Sequence, residues 1–198
     1  MPQYFDNVET LAHEDINYSF SLLGETYTFQ SDSGVFCKDG LDDGTRLLLE
    51  TIAKTDLGKN ILDLGAGVGP IGLILAHLDP DRKVTLADVN DRALDCCRKN
   101  AATLGVADQV QIIHSDVYSN IHSTFSTIVT NPPIRAGKVV TYAMYAGASS
   151  YLIDGGKLIL VIRKQQGAES AEKYLRTLFP KVEKIAQKKG YRILVATK

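Results

Sequence analysis

From Lys59 onward, short apolar runs alternate with longer helical patterns, and few folds accept that alternation. Asn60-Ile61-Leu62-Asp63-Leu64 reads as a buried strand ending in glycines, followed by an apolar helix over residues 71–78. Val84-Thr85-Leu86-Ala87-Asp88 is a second strand, with a helix over residues 91–104 behind it. Val110-Gln111-Ile112-Ile113 is a third, and Thr127-Ile128-Val129-Thr130 a fourth, which leads to a helix over residues 142–152. Lys157-Leu158-Ile159-Leu160-Val161-Ile162 is a fifth, with a helix over residues 168–179. The last two strands, residues 182–186 and 191–195, are joined only by Gln187-Lys188-Lys189-Gly190. A parallel crossover needs a dozen or more residues, so these two pair antiparallel. The expected fold class is α/β: a doubly wound, mostly parallel seven-stranded sheet with an antiparallel C-terminal hairpin.

Two β-like runs come earlier, Ile16-Asn17-Tyr18-Ser19-Phe20 and Thr26-Tyr27-Thr28-Phe29, with Leu23-Gly24-Glu25 between them. They predict a short N-terminal hairpin. Asp32-Ser33-Gly34 and Asp39-Gly40 read as turns, and Asp42-Asp43-Gly44-Thr45 caps a helix through Leu47, Leu48, Leu49 and Ile52. A length of 198 residues predicts one domain, with 1–45 as an extension and pocket edge and 46–198 as the core.

The strand Ile61-Leu62-Asp63-Leu64 runs directly into Gly65-Ala66-Gly67-Val68-Gly69-Pro70. Such a turn lets a ligand touch backbone at the carboxyl end of the first strand. Two cofactors compete for it. Gly67-Val68-Gly69-Pro70-Ile71-Gly72 also satisfies the dinucleotide fingerprint, with Asp88 at the distance of a ribose-binding acid. Asp63 tilts the choice, because a carboxylate beside a pyrophosphate is repelled. S-adenosylmethionine carries a sulfonium and an ammonium and no phosphate, so Asp63 suits it; the alternative is an aspartate capping loop N–H groups. Asp88 can accept from a ribose diol and Asn90 can add a contact, although both are also placed to cap the next helix. Asp116, after the third strand, is either an adenine contact or a cap.

The fourth strand ends in Thr130-Asn131-Pro132-Pro133-Ile134-Arg135. An exocyclic amine on a base is planar because its lone pair is delocalised into the ring. Two acceptors placed on its hydrogens orient the nitrogen and favour a lone pair aimed at a sulfonium methyl. The Asn131 side-chain oxygen is one acceptor and the Pro132 carbonyl the other, on a segment stiffened by Pro132 and Pro133. Rate would then come from proximity, alignment and electrostatics, with no covalent intermediate. Taken alone, Asn-Pro is a common turn signal.

Asp63-Leu64-Gly65-Ala66-Gly67-Val68-Gly69, Asp88 and Asn131-Pro132-Pro133-Ile134 resemble, in order, the motifs of class I S-adenosylmethionine-dependent methyltransferases. More narrowly, the chain is similar to the RsmC-like small-subunit ribosomal RNA guanine-N2 methyltransferases. That similarity is carried by Gly34-Val35-Phe36 with Leu41-Asp42-Asp43-Gly44-Thr45, by Asn131-Pro132-Pro133-Ile134-Arg135-Ala136-Gly137-Lys138, and by Arg163-Lys164-Gln165-Gln166-Gly167. The resemblance implies a Rossmann-like methyltransferase fold and S-adenosyl-L-methionine as cofactor. It implies a pocket bordered by Phe36 and the Asp42-Asp43-Gly44-Thr45 turn and built from Asp63, Gly65, Ala66, Gly67, Gly69, Asp88, Val89, Asn90, Asp116, Val117 and Asn131. Asn131 and Pro132 would hold the target amine. Ile134 stands where many such enzymes carry an aromatic residue, so stacking must come from elsewhere, such as Phe36, or be replaced by apolar contact. Some members carry a second, degenerate copy of the domain ahead of the catalytic one, for which 198 residues leave no room.

Charge fits a polyanionic partner. Residues 1–100 hold 9 Lys+Arg against 17 Asp+Glu, and residues 101–198 hold 13 against 6. Ile134, Arg135, Lys138, Arg163 and Lys164 would line the substrate side, with the cations either on RNA phosphates or simply solvated. The expected partner is RNA, ribosomal RNA or the small ribosomal subunit, bound by a monomer or homodimer. Three cysteines are too few and odd in number for a disulfide framework, and no apolar run suits a membrane span or signal peptide. A reduced, cytoplasmic protein follows. His13, His77, His114 and His122 show no metal-ligand spacing, so no metal is expected. Adenine N6 or a protein glutamine amide as target, a nicotinamide-dependent oxidoreductase, and a non-catalytic nucleotide-binding module remain alternatives.

Overall fold

The computed structural model describes residues 15–32 and 40–198. Strands β1 (Asp15–Leu22) and β2 (Glu25–Asp32) precede helix α1 (Asp43–Ile52). The alternating core follows: β3 (Asn60–Leu64), α2 (Pro70–His77), β4 (Lys83–Asp88), α3 (Asp91–Thr103), β5 (Val110–His114), β6 (Phe125–Thr130), α4 (Lys138–Tyr151), β7 (Leu152–Arg163) and α5 (Ala168–Leu178). Strands β8 (Lys181–Lys188) and β9 (Tyr191–Thr197) close the chain. The expected hairpin turns on Leu23 and Gly24, both at positive φ (54° and 89°), as a tight two-residue connection between right-twisted strands requires. Gly34, Val35, Phe36, Asp39 and His13 lie outside the described residues.

Seven strands form one sheet in the order β5-β4-β3-β6-β7-β9-β8, parallel except for β9, which runs antiparallel to both its neighbours. The chain starts this sheet at β3, builds outward to β5, then returns to lay β6 on the other side of β3. That return makes β3 and β6 the switch point, where doubly wound sheets bind ligands at the strands' carboxyl ends. Apolar side chains cover both faces. One cluster packs Leu48, Leu73, Ile74 and Cys97 from α1, α2 and α3; the other packs Tyr145, Ala148, Ala171 and Leu175 from α4 and α5.

The hairpin forms a separate two-stranded sheet. Its rings of Tyr18, Phe20 and Phe29 stack at 5.7–6.3 Å between centroids and join the first cluster. Asn100 of α3 pins it: its Nδ2 donates to the carbonyls of Gln30 and Val68, and its Oδ1 accepts from the Gln30 N–H at 2.7 Å. The hairpin is thereby tied to the glycine turn. Helix α4 starts at Lys138, earlier than the apolar pattern suggests, because Gly137 (φ 90°) reverses the chain directly after the proline corner. No described helix is long and apolar enough to cross a membrane.

Candidate active site

The parallel register of β3 and β6 pairs Leu62 with Ile128 and Asp63 with Val129. The two strand ends are clamped by the Thr130 hydroxyl, which donates to the Leu64 carbonyl at 2.7 Å. The glycine turn and the Asn131 corner therefore leave the sheet side by side. A Cβ built on Gly65 would lie 3.9 Å from Pro133 Cδ and 3.6 Å from Met144 Cε, so the two loops face each other closely.

The glycine turn is bonded inward. Gly65 and Ala66 N–H both donate to the Ala87 carbonyl, Gly69 N–H donates to the Ala66 carbonyl, and Gly67 N–H donates to Asp88 Oδ2 at 2.8 Å. At the start of α2, Pro70 has no N–H and Gly72 N–H donates to Asp63 Oδ2 at 2.8 Å. A pyrophosphate needs those donors free, and the Asp63 carboxylate behind the turn would repel it. The turn is thus unsuited to a dinucleotide.

Asp63 is fully buried, and its second oxygen, Oδ1, has no hydrogen-bond partner. Burial pushes its pKa from 3.8 up to about 7; the Gly72 N–H opposes the rise and the nearby Asp88 charge adds to it. A buried, half-bonded carboxylate directly behind a glycine turn fits a cationic ligand, which would hold it ionised. Gly72 has no space for a side chain, since a Cβ there would sit 2.8 Å from Leu86 Cδ2 and 3.1 Å from Asp63 Cβ.

Asp88 is buried at the tip of β4, with Oδ1 accepting from Asn90 N–H at 2.9 Å. Asn90 is buried and caps α3 through Ala93 N–H, so its capping role is realised. Val89 stands half-buried between them. Asp116 is exposed, and the segment after β5 is a turn with no helix for it to cap. Val117 sits at φ 50°, a strained conformation for a β-branched residue, held by the buried Ser115 hydroxyl donating to the Val117 carbonyl.

At the proline corner, the Pro133 carbonyl accepts from Ala136 N–H at 2.9 Å, whereas the Pro132 carbonyl accepts none of the turn's backbone bonds. Asn131 Nδ2 donates to Thr45 Oγ1 at 3.0 Å and faces both Asp42 carboxylate oxygens at 3.3 and 3.4 Å. Asn131 Oδ1 accepts no hydrogen bond from the described residues. Among the described residues, both acceptors postulated from the sequence are therefore left without a donor.

Ile134, Arg135 and Lys138 follow along a short 3-10 turn into α4, the two cations exposed. Arg163 and Lys164 are exposed at the end of β7. Arg163 Cζ lies 5.6 Å from the centroid of the Tyr191 ring, which in turn packs on Gly44 so tightly that a Cβ there would be 2.9 Å from Tyr191 Cε1. Through Tyr191 and the start of α1, the Arg163 side is joined to the Asn131 corner. Asp42, Thr45 and Tyr191 were not legible as partners of that corner, since the Asp42–Asn131 contact spans 89 positions. Cys96 and Cys97 are buried on α3, with burial pushing the Cys97 thiol up, so neither is a nucleophile. His77 and His114 form surface pairs with Glu25 and Asp91, and His122 is exposed.

A glycine turn backed by an aspartate, an acid at the next strand tip and an Asn-Pro-Pro corner across the switch point define a class I S-adenosylmethionine-dependent methyltransferase. The family model for the methyltransferase small domain matches residues 26–195, and the chain belongs to that family. It is 42% identical over 197 residues to the uncharacterized protein YbxB of Bacillus subtilis (strain 168), covering 98% of both. It is 41% identical over 132 residues to ribosomal RNA small subunit methyltransferase C of Serratia proteamaculans (strain 568), covering 65% of this chain but 37% of that one. Among solved structures it is similar to the T. thermophilus 16S rRNA N2 G1207 methyltransferase (RsmC) in complex with AdoMet and guanosine. The TM-score is 0.83 at 28% identity, over 93% of this chain and 50% of that chain. The chain thus spans half or less of these RsmC relatives.

Proposed function

We propose that this protein methylates the exocyclic amine of a base in RNA, with guanine N2 of small-subunit ribosomal RNA as its target. The observation that carries the reading is the Asn131 corner: an amide oxygen and a proline carbonyl that accept no hydrogen bond from the described residues, on a loop whose Pro133 lies beside Gly65 of the glycine turn. The similarity to RsmC proteins supports ribosomal RNA and guanine in particular.

S-adenosylmethionine, when bound, supplies an electrophilic methyl on a sulfonium. Asp63 would provide negative charge behind the glycine turn for the cationic end of the cofactor, and Asp88, with Asn90 and Val89 beside it, would hold its ribose. Asp116 and Val117 would border its base. The Asn131 Oδ1 and Pro132 carbonyl accept the two hydrogens of the target amine and hold its lone pair toward the donor. With the amine so held, the cofactor would supply the methyl group, S-adenosylhomocysteine would be the leaving group, and the methylated nitrogen would lose one proton to solvent. Ile134 contributes apolar contact beside the base, and Arg135, Lys138, Arg163 and Lys164 meet phosphates.

Incubating the protein and tritiated cofactor with small ribosomal subunits from a strain lacking the enzyme should place label in N2-methylguanosine. Label in N6-methyladenosine or in protein would overturn the guanine reading. Calorimetry should show S-adenosylhomocysteine binding and no NAD binding; the reverse would overturn the cofactor assignment. Arg163→Ala should weaken RNA binding several-fold for any sequence and lower the slope of log K against log salt by about 1, as loss of one phosphate contact does. An unchanged slope would remove Arg163 from the interface.

A further inference from the structure

The orientation of the Asn131 carboxamide matters to the reaction, because its oxygen must face the target and its NH2 must not. A lone asparagine at a strand end has no intrinsic preference between the two orientations, which differ by a half-turn about the last side-chain bond. Here the choice is imposed from another element. Asp42, the N-cap of α1, accepts through Oδ1 from the N–H groups of Gly44 and Thr45 at 2.9 and 3.0 Å. That capping bond holds its carboxylate rigidly beside Asn131 Nδ2. A carboxylate only accepts, so a flipped Asn131 would set oxygen against oxygen. Thr45 is buried at 3% exposure, with its Oγ1 taking an Asn131 N–H hydrogen at 3.0 Å.

We propose that Asp42 and Thr45 are positioning residues that lock the Asn131 amide with its oxygen toward the target amine. This rests on the functional reading above for what the amide does, but the lock is a property of the folded protein without substrate. It recruits the first turn of α1 into the active corner: both hydrogens of Nδ2 are spent on α1, so Oδ1 is the atom left for the target.

Asp42→Asn separates the lock from the fold, because asparagine caps a helix as well as aspartate does. The new amide would present N–H toward Asn131 Nδ2, and the Asn131 side chain would turn to accept it, consuming the oxygen. The expected result is a turnover loss of about 10- to 100-fold at saturating cofactor, read there because Asp42 borders the cofactor pocket, with melting temperature little changed. Thr45→Val should lower turnover by a smaller factor, and Thr45→Ser should restore it. In an Asn131→Ala background, Asp42→Asn should have no further effect, since it acts through the missing amide. The exchange variant D42N/N131D places the acceptor back at the corner and the donor on α1, and should recover part of the activity lost in D42N. Additive losses with Asn131→Ala, or full turnover in D42N, would overturn the proposal. Independently of substrate, the Asn131 side-chain amide should give a nitrogen–proton NMR pair that is slow to exchange and shifts in D42N. An unshifted, fast-exchanging pair would overturn the lock even if the enzyme proves to act on another amine. A rigid pair with no transfer to ribosomal RNA would instead fault the functional reading alone.

Discussion

Asn131→Ala slows methyl transfer by about 100- to 1,000-fold, the usual scale for removing one oriented polar group from a preorganised site. The amide makes no bond to the glycine turn; its contacts are to Asp42 and Thr45. Affinity for S-adenosylhomocysteine therefore changes by only a few-fold. The loss appears in kcat at saturating RNA, because the acceptor works on the amine as its nitrogen becomes tetrahedral and its hydrogens more positive. Single-turnover transfer with a fixed RNA substrate measures it. Retention of full turnover would remove the amide from the reaction.

Asp63→Asn has two large effects of opposite sign. In the cofactor-free protein it raises stability at pH 8. Burial has shifted this carboxyl from 3.8 to about 7, a penalty on the ionised form of about 4 kcal/mol at about 1.4 kcal/mol per pH unit. An uncharged side chain avoids that penalty but places an NH2 where Oδ1 has no partner, which costs about 1–3 kcal/mol. The net gain is about 1–3 kcal/mol, or roughly 2–12 °C in Tm for a chain of this size. The pH dependence follows from the direction of the shift. Between pH 4 and 7 the folded protein holds the Asp63 proton that the unfolded chain has released, so this group's contribution to stability falls as pH rises. The advantage of Asp63→Asn is accordingly absent near pH 4, grows toward pH 7 and then levels off.

The second effect is on ligand affinity. On the proposed site the variant lacks the charge offered to the cationic end of S-adenosylmethionine and should bind it about 100-fold more weakly, the scale of one hydrogen bond to a charged group. In the natural protein that affinity should weaken as pH falls below about 7, up to tenfold per unit, as Asp63 takes up a proton. Thermal melts with and without cofactor across pH 4–9 measure both effects. A variant that is less stable at pH 8 and binds cofactor normally would show Asp63 to be a loop cap alone.

Much of the fold was legible because each strand of the central sheet carries its own local signal. Ile61, Leu62 and Leu64, and residues 158–162, put apolar side chains on both faces, as strands covered by helices must. The four residues between the last two runs read from the sequence ruled out a parallel crossover, and β8 and β9, joined by Lys189 and Gly190 alone, do pair antiparallel. Residues 138–141 were missed as helix because Lys138 and the 86%-exposed Val139 break the apolar pattern. Asp63, Asp88 and Asn131 announced themselves as acids and an amide at strand ends, where polar side chains reach the switch point.

The sequence alone determined the type of sheet, the glycine turn, and the asparagine–proline corner with the chemistry it suits, since each is written in a few adjacent residues. Only the tertiary structure decided that the turn's N–H groups are spent on Ala87 and Asp88, that Asp63 keeps one oxygen unpartnered, and that the cap of α1 grips Asn131 from 89 positions away. Hydrogen bonds between distant segments leave no periodicity to read. They exist only once burial of the core has brought α1, β3 and β6 to one end of the sheet.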